Sequence, residues 1–324
     1  EASSEQHAPR IDAVIIEKDF WVCWALHRLF DIIQFRPQLI FKGGTSLSKV
    51  FKAIERFSED VDLSLSRRDL GFADERDPEQ AGISKRESER RIEALVAACV
   101  ETVRDKLLPE LRRDFATVLG GTGWSVDVDT GDPQTLVFAY PPSGLVGTAY
   151  IRPAIRLEMG ARSDDWPSVN AEIKPYAAED FPAAFSQPSC RARTLASERT
   201  FWEKATLLHG EYHRPPSKPG NDRISRHYYD LYCLSRGEIA KRALGLDDLL
   251  KRVVQHKRCF FSSSWAHYET AVPGTFHIVP SEARMETLRK DYDAMTTMTF
   301  GDAPKWVEIV AEIRALEDRI NKRP

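Results

Sequence analysis

The apolar residues repeat with two different periods, and the place where the period changes divides the chain. From Arg10 to about Ile33, residues Val14, Ile15, Phe20, Trp21, Trp24, Ala25 and Leu29 cover a wide surface at helical spacing, the pattern of a buried helix. Pro37 stops it, and Leu39-Ile40-Phe41 reads as a short buried strand. Gly43-Gly44 breaks that strand, and Thr45 or Ser46 is expected to cap a short helix running through Ile54. Asp60 to Leu65, D-V-D-L-S-L, alternates as a strand with one wet and one dry face. A charge-dense loop from Arg67 to Arg91 runs into an amphipathic helix, roughly Ser84 to Phe115. Ile92, Leu95, Val96, Cys99 and Val103 lie on one side of it, and Pro109 is a site for a kink. Strands are predicted at Trp124–Asp129, Leu136–Tyr140, Tyr150–Met159 and Val169–Tyr176, punctuated by Gly and Pro. Beyond about Thr194 the period becomes helical: Ser197–His213, Ile224–Ser235, Leu246–Phe261, Ser281–Met295 and Pro304–Ile320. The fold class is therefore α+β. A domain with a mixed sheet is expected over residues 1–190 and a helical domain over 191–324, with the boundary within Pro182–Arg193.

Composition narrows the function classes. The chain has 324 residues, more than one hydrophobic core usually organises, in keeping with two domains. Forty-nine acids against forty-six Lys plus Arg give a net charge of −3, which removes a uniformly basic nucleic-acid coat protein and leaves room for a local basic groove. Five cysteines (Cys23, Cys99, Cys190, Cys233, Cys259) are scattered and never spaced C-x-x-C, so neither a disulfide scaffold nor a zinc ribbon is expected. The first ten residues hold no apolar core of a signal peptide, and no segment offers eighteen uninterrupted apolar residues. A cytoplasmic protein without membrane contact is the expectation.

One constellation carries chemistry: Phe41-Lys42-Gly43-Gly44-Thr45-Ser46, then thirteen residues, then Asp60-Val61-Asp62. Residues two apart on a strand face the same side, so both carboxylates address one spot. Close carboxylates repel, which a divalent cation between them relieves. Glycines let the backbone approach a phosphate, and a helix starting at Thr45–Ser46 offers free N–H groups to an anion. Nucleotidyl transfer needs this combination of phosphate cradle and metal site. A lone D-x-D is usually a solvated face, and Asp127-Val128-Asp129 is such a decoy, lacking the upstream glycine turn. A third carboxylate on a neighbouring strand is either Glu158, in Ile155-Arg156-Leu157-Glu158-Met159, or one of Asp127 and Asp129; spacing alone leaves that open. No P-loop, dinucleotide fingerprint, H-E-x-x-H or G-x-S-x-G elbow occurs.

Four further stretches complete an ordered set. Glu17-Lys18-Asp19-Phe20-Trp21-Val22, Phe41-Lys42-Gly43-Gly44-Thr45-Ser46-Leu47-Ser48-Lys49 and Arg56-Phe57-Ser58-Glu59-Asp60-Val61-Asp62-Leu63 are followed by Arg199-Thr200-Phe201-Trp202-Glu203-Lys204, Arg226-His227-Tyr228-Tyr229-Asp230-Leu231 and Asp291-Tyr292-Asp293-Ala294-Met295. This series, from about Ile11 to Asn321, resembles the AbiEii/AbiGii-type nucleotidyltransferase toxins of the DNA polymerase β-like superfamily, which include the MenT toxins. The gap before the D-x-D stands at or slightly beyond the long end of the superfamily pattern.

The resemblance implies a polymerase β-like nucleotidyltransferase domain followed by a helical domain completing the active-site cleft. It implies a nucleotide-binding set of Lys42, Gly43, Gly44, Thr45, Ser46, Lys49 and Lys204, with Gly44, Thr45, Ser46 and Lys204 on the triphosphate. Asp60, Asp62 and Glu158 would bind Mg²⁺ (Mn²⁺ is the alternative ion), and Asp230 would orient Lys204 or act as a base towards the acceptor. The implied activity is transfer of NMP from an NTP to an acceptor such as the tRNA 3′ end, as the toxin of a toxin–antitoxin or abortive-infection phage-defence system with a cognate antitoxin. Rival readings are an NTP-binding module without turnover and transfer to a protein hydroxyl. Bottom-up, Lys204 reads as a solvated helix lysine, and Asp230 as the partner of Arg226 or His227 within its own helix. Lys18 either anchors a packed helix or reaches the cleft. His256-Lys257-Arg258-Cys259-Phe260-Phe261, preceded by Lys251-Arg252, mixes cations and aromatics suited to an RNA end, yet reads more simply as an amphipathic helix with Phe260 and Phe261 in the core.

Overall fold

The computed structural model describes residues 12–33, 35, 38–58, 60–141, 143–144, 153–220 and 222–323. Chain contacts divide it into two compact units. The first holds the residues up to Phe51 with Phe57–Leu195, and the second Lys52–Arg56 with Ala196 onward.

In the first unit, helix α1 (Ala13–His27) starts at Asp12, whose carboxylate accepts the Val14 N–H at 2.8 Å, and continues as a π turn through Arg28–Ile32. The expected start at Arg10 lies outside the described residues. Strand β1 (Leu39–Lys42) passes directly into a helix α2 of about two turns (Gly43–Lys49), shorter than the expected run to Ile54. Strand β2 (Asp60–Leu65) lies where the alternation put it. The long amphipathic helix is interrupted: α3 (Lys85–Thr102), a π turn at Val103–Leu107, then α4 (Leu108–Leu119). Pro109 explains the break, since it has no N–H for the carbonyl four residues back and its ring crowds that carbonyl.

Strands β3 (Ser125–Val128), β4 (Thr135–Ala139), β5 (Ala154–Gly160) and β6 (Ser168–Ile173) follow; the expected beginning of the third of these at Tyr150 lies outside the described residues. After a short helix α5 (Tyr176–Asp180) comes a strand the period did not predict, β7 (Cys190–Leu195). The expected division after residue 190 therefore runs through a strand, and Lys52–Arg56 groups with the second unit. Residues 190–195 alternate, but their inward positions are Cys190, Ala192 and Thr194, too small or polar to register as a hydrophobic run.

The seven strands form one mixed sheet in the order β3-β4-β5-β2-β1-β7-β6. β2 runs parallel to β5 and β1 parallel to β7, while the other neighbours are antiparallel. One end of the sheet packs on an aromatic cluster in which Phe138 meets Trp21, Trp24 and Phe115 with centroids 4.8–5.9 Å apart, geometry that adds about 0.5–1.5 kcal/mol per pair to simple burial.

The second unit is helical: α6 (Ser197–His213), α7 (Ser225–Ser235), α8 (Glu238–Leu244), α9 (Asp247–Phe260), α10 (Glu282–Met295) and α11 (Trp306–Asn321). Its core is built on fully buried Phe201, Trp202, Leu208, Phe276, Ile309 and Ile313. Segment 52–56 is stitched into it by an antiparallel bridge between Arg56 and Thr299 and by the Phe300 N–H donating to the Glu55 carbonyl at 2.8 Å.

Candidate active site

The wet faces of β2 and β5 meet in the middle of the sheet. Burial alternates along both strands, leaving Asp60 and Asp62 on one and Arg156 and Glu158 on the other half-buried between dry neighbours. The parallel register sets Asp60 opposite Arg156 and Asp62 opposite Glu158, so side chains at these positions share one face. From the other side, β1 brings Lys42 opposite Asp62, with Nζ 3.7 Å from the carboxylate. Arg156 stands 3.8 Å from Asp60 and 3.5 Å from Glu158. Three carboxylates thus face two cations over three adjacent strands. Burial, then the charges of Asp60 and Asp62, push the Glu158 carboxyl above its ordinary range, and Arg156 only partly offsets them.

The spacing-based rivals of Glu158 are otherwise engaged. Asp127 lies on β3, at the sheet's edge, and pairs with Arg112 of α4. Asp129 closes a turn by accepting the Gly131 and Asp132 N–H groups at 2.8 and 3.0 Å, and its other oxygen takes Arg156 at 2.7 Å. Those bonds, the Gly131 one first, hold its carboxyl below the usual range.

Gly43 is required where it stands. Its φ is +76°, and a Cβ there would overlap the Asp62 carboxylate, coming within 2.9 Å even of Asp62 Cβ. The helix begins at Gly43 with Lys42 as its N-cap, so the expected capping by Thr45 or Ser46 does not occur. Thr45 instead donates its hydroxyl to the Asp60 carbonyl at 2.5 Å, and Ser46 donates to the Gly43 carbonyl at 2.9 Å; both side chains are buried. Lys49, expected among the nucleotide-binding residues, is committed elsewhere. It is buried with its Nζ 2.7 Å from Asp19 and 3.5 Å above the Tyr176 ring, while the Tyr176 N–H donates to Asp19 at 2.7 Å. Lys18 is also buried, 5.9 Å from the Phe57 ring.

In the second unit, Lys204 of α6 and Asp230 of α7 are in contact at 2.8 Å, and both are buried. The solvated-lysine reading is thereby overturned. Asp230 pairs not with Arg226 or His227 of its own helix but with Arg56, which grips it with two bonds of 2.7 and 2.9 Å. Burial works against the Asp230 charge, yet Arg56 and Lys204 together hold its carboxyl well below the ordinary range. A carboxylate so occupied is a weak base, whereas it orients Lys204 well. Burial, with Arg56 and Arg226 adding to it, keeps the Lys204 ammonium below the usual lysine range despite Asp230. Its Nζ also lies 3.3 Å from His227 Nδ1, and burial and Lys204 keep that imidazole neutral, so Nδ1 accepts. The grip of Arg56 on Asp230 was not foreseen from the sequence. The signal lay in the Arg56-Phe57-Ser58-Glu59-Asp60 stretch, but its partner is 174 residues away.

The basic-aromatic run takes its simpler form in part: it belongs to α9, with His256 and Phe260 buried, whereas Phe261, expected in the core, follows the helix end and is only half-buried. A cavity of about 330 Å³ in the second unit is lined by Tyr212, Arg214, Lys218, Tyr228 and Arg284, among others, and touches neither Lys204 nor Asp230. Concavity alone would point away from this chemistry. No helix among the described residues is long and apolar enough to cross a membrane.

Comparison with known proteins gives a family match. The model for the nucleotidyl transferase AbiEii toxin, of type IV toxin–antitoxin systems, matches residues 24–318. No curated protein matches significantly. Among solved structures, MenT4, a nucleotidyltransferase toxin from Mycobacterium tuberculosis H37Rv, is similar over 98% of this chain and 97% of its own, with 17% identity and a TM-score of 0.43.

Proposed function

The chain belongs to the AbiEii nucleotidyl transferase toxin family, and from that premise we propose that it moves NMP from an NTP onto RNA, the tRNA 3′ end first among acceptors, with Mg²⁺ as its ion. The observation that carries this reading is the alignment of Asp60, Asp62 and Glu158 on two neighbouring strands directly beside the Gly43 turn.

These residues fit a divalent ion. All three offer hard oxygen donors, and the crowding that pushes the Glu158 carboxyl up is relieved by a cation among them. Mg²⁺ held by Asp60, Asp62 and Glu158 would supply Lewis-acid stabilisation of charge on the phosphates and on the attacking oxygen. The chain's own side chains do the rest. Gly43 keeps the turn free of a side chain, so that a triphosphate can approach the Gly43-Gly44 backbone, and Lys42 brings a positive charge to the same place. Thr45, through the Asp60 carbonyl, fixes β2 against α2 and so sets where Asp60 stands. The acceptor hydroxyl oxygen bonds to the α-phosphorus as the bond to pyrophosphate breaks, and the hydroxyl proton passes to solvent water. Lys204 is proposed to act on the triphosphate, with Asp230 orienting it rather than serving as the base; the double grip of Arg56 and Lys204 on Asp230 supports that assignment. A cognate antitoxin and a role in phage defence belong to the same reading.

The deciding assay incubates the protein with each NTP labelled at the α-phosphate, Mg²⁺ and total RNA. Label should enter RNA with one preferred base and vanish in Asp60→Ala/Asp62→Ala. Transfer that survives the double substitution would show that the site is elsewhere. Label on protein alone, seen by mass spectrometry as an added NMP, would replace RNA by a protein hydroxyl as acceptor.

A further inference from the structure

Apart from the carboxylate face, a second group of ligating side chains converges in the first unit. His27 ends α1, Asp31 follows four residues later in the π turn, and Cys190 opens β7. Their ligand atoms all lie within 4.8 Å of one another. Spacing of four puts the imidazole and the carboxylate on one side of the helix, facing the strand that carries the thiol.

The geometry between the first two is unusual for an ion pair. His27 Nδ1 stands 3.4 Å from Asp31 Oδ2, yet this buried nitrogen has no hydrogen-bond partner among the described residues. An imidazole and a carboxylate left to themselves close to about 2.8 Å along an N–H···O line. Two atoms bound at about 2.0–2.1 Å to one tetrahedral ion are instead held roughly 3.4 Å apart, and a thiolate joins them at roughly 3.6 Å. The Asp31 carboxylate is steadied by the Arg191 N–H at 3.2 Å, from the residue next to Cys190, as outer-shell bonds steady metal ligands. Cys190 is itself buried. A cavity of about 60 Å³, lined by Cys23, Trp24, His27, Phe185 and Cys190 among others, adjoins the group and has room for a water.

We infer that His27, Asp31 and Cys190 bind a transition-metal ion of the zinc class, with a water in the fourth position. The donor set decides the ion: thiolate plus imidazole selects zinc over magnesium or calcium, so this site and the all-oxygen Asp60, Asp62 and Glu158 set take different metals. Its place in the fold makes the ion a cross-link. The ion ties the end of α1 to the start of β7, joining residues far apart in the chain, and its binding adds to the stability of the first unit.

The test uses the full chain, stripped with chelator and dialysed. Co²⁺ should give intense tetrahedral visible bands and a near-ultraviolet thiolate-to-cobalt band, both displaced by one equivalent of Zn²⁺. Asp60→Ala/Asp62→Ala should keep those bands, because oxygen-only ligands produce neither. Cys190→Ser should lose the thiolate band. Asp31→Ala, an exposed change that leaves the fold intact, should weaken Zn²⁺ at least about tenfold, on the scale of losses seen when even outer-shell partners are removed. Absence of a thiolate band in the folded, Co²⁺-loaded wild type overturns the inference, as does unchanged Zn²⁺ affinity in Asp31→Ala. These two arms decide the matter even if Cys190→Ser does not fold.

Discussion

Replacing Arg56 by Met tests whether the charged cluster of the second unit is as tightly built as it looks. Arg56 and Asp230 are buried, and their two bonds of 2.7 and 2.9 Å form a bidentate pair sealed from water. Breaking a buried pair by removing one partner costs about 3–5 kcal/mol, because a charge is left behind without its counterion. Here Asp230 keeps Lys204 at 2.8 Å, so the loss for Arg56→Met should sit near the lower limit, about 3 kcal/mol, or roughly a hundredfold in the folded-to-unfolded ratio. Asp230→Asn is the harsher change. It strands Arg56 and Lys204 as neighbouring buried cations, and about 5 kcal/mol is expected. Since both changes act on one network, the double variant should fall short of their sum by about 1–3 kcal/mol. Urea unfolding at pH 7 measures all three, with an unchanged slope confirming that stability rather than compactness has moved. A cost below about 1 kcal/mol for Arg56→Met, or strict additivity in the double variant, would refute the argument and make the cluster a solvated surface pair. Arg56→Lys should recover only part of the loss, because an ammonium cannot reproduce the fork.

Three further outcomes follow from the same structure. Gly43→Ala should abolish nucleotide transfer and lower stability by about 1–3 kcal/mol, since it combines a strained positive φ with overlap on the Asp62 carboxylate; transfer at the wild-type rate would show that the turn is not part of the site. Glu158→Gln should suppress divalent-ion-dependent transfer while Asp129→Asn spares it, and the opposite ranking in the labelled-NTP assay would move the third ligand to the turn. His209 is buried with Nδ1 accepting the His277 N–H at 3.1 Å, and burial, ahead of His213 and His277, depresses its pKa to about 4. Between that value and the unfolded pKa of about 6.5 the unfolded chain binds the extra proton, so stability should fall on acidification through this window by about 3 kcal/mol, and a pH profile that is unaltered in His209→Gln would contradict it.

What could be read beforehand and what could not have separate physical causes. The strand at Asp60–Leu65 was legible because its two faces differ in polarity, and the helices of the second unit because their apolar stripes are long. Strand β7 was not, because its inward positions are Cys190, Ala192 and Thr194, and it is held by ladders to β1 and β6 rather than by apolar bulk. The position of Glu158 beside Asp62 needed the strand order, since spacing alone did not separate it from Asp127 and Asp129 and only register brings one of them opposite Asp62. The Arg56 grip on Asp230 and the convergence of His27, Asp31 and Cys190 were invisible for a common reason. Each needs a residue from far along the chain, Asp230 for Arg56 and Cys190 for the neighbouring His27 and Asp31.

The glycine turn and the D-V-D strand are one device rather than two motifs that happen to adjoin. Gly43 has no side chain because the Asp62 carboxylate occupies the place a Cβ would take. Thr45 turns its hydroxyl inward to the Asp60 carbonyl, so the residue that sequence comparison would give to the phosphate is spent on fixing the backbone of the first carboxylate. Lys42 then faces Asp62 across the β1–β2 ladder. With both ends of the connection tied in this way, the residues after Lys49 are free to leave the sheet, and Lys52–Arg56 pack within the second unit, where Arg56 holds Asp230. The thirteen residues between Ser46 and Asp60 can therefore be carried without loosening the two carboxylates, while the relation of Gly43 to Asp62 stays fixed.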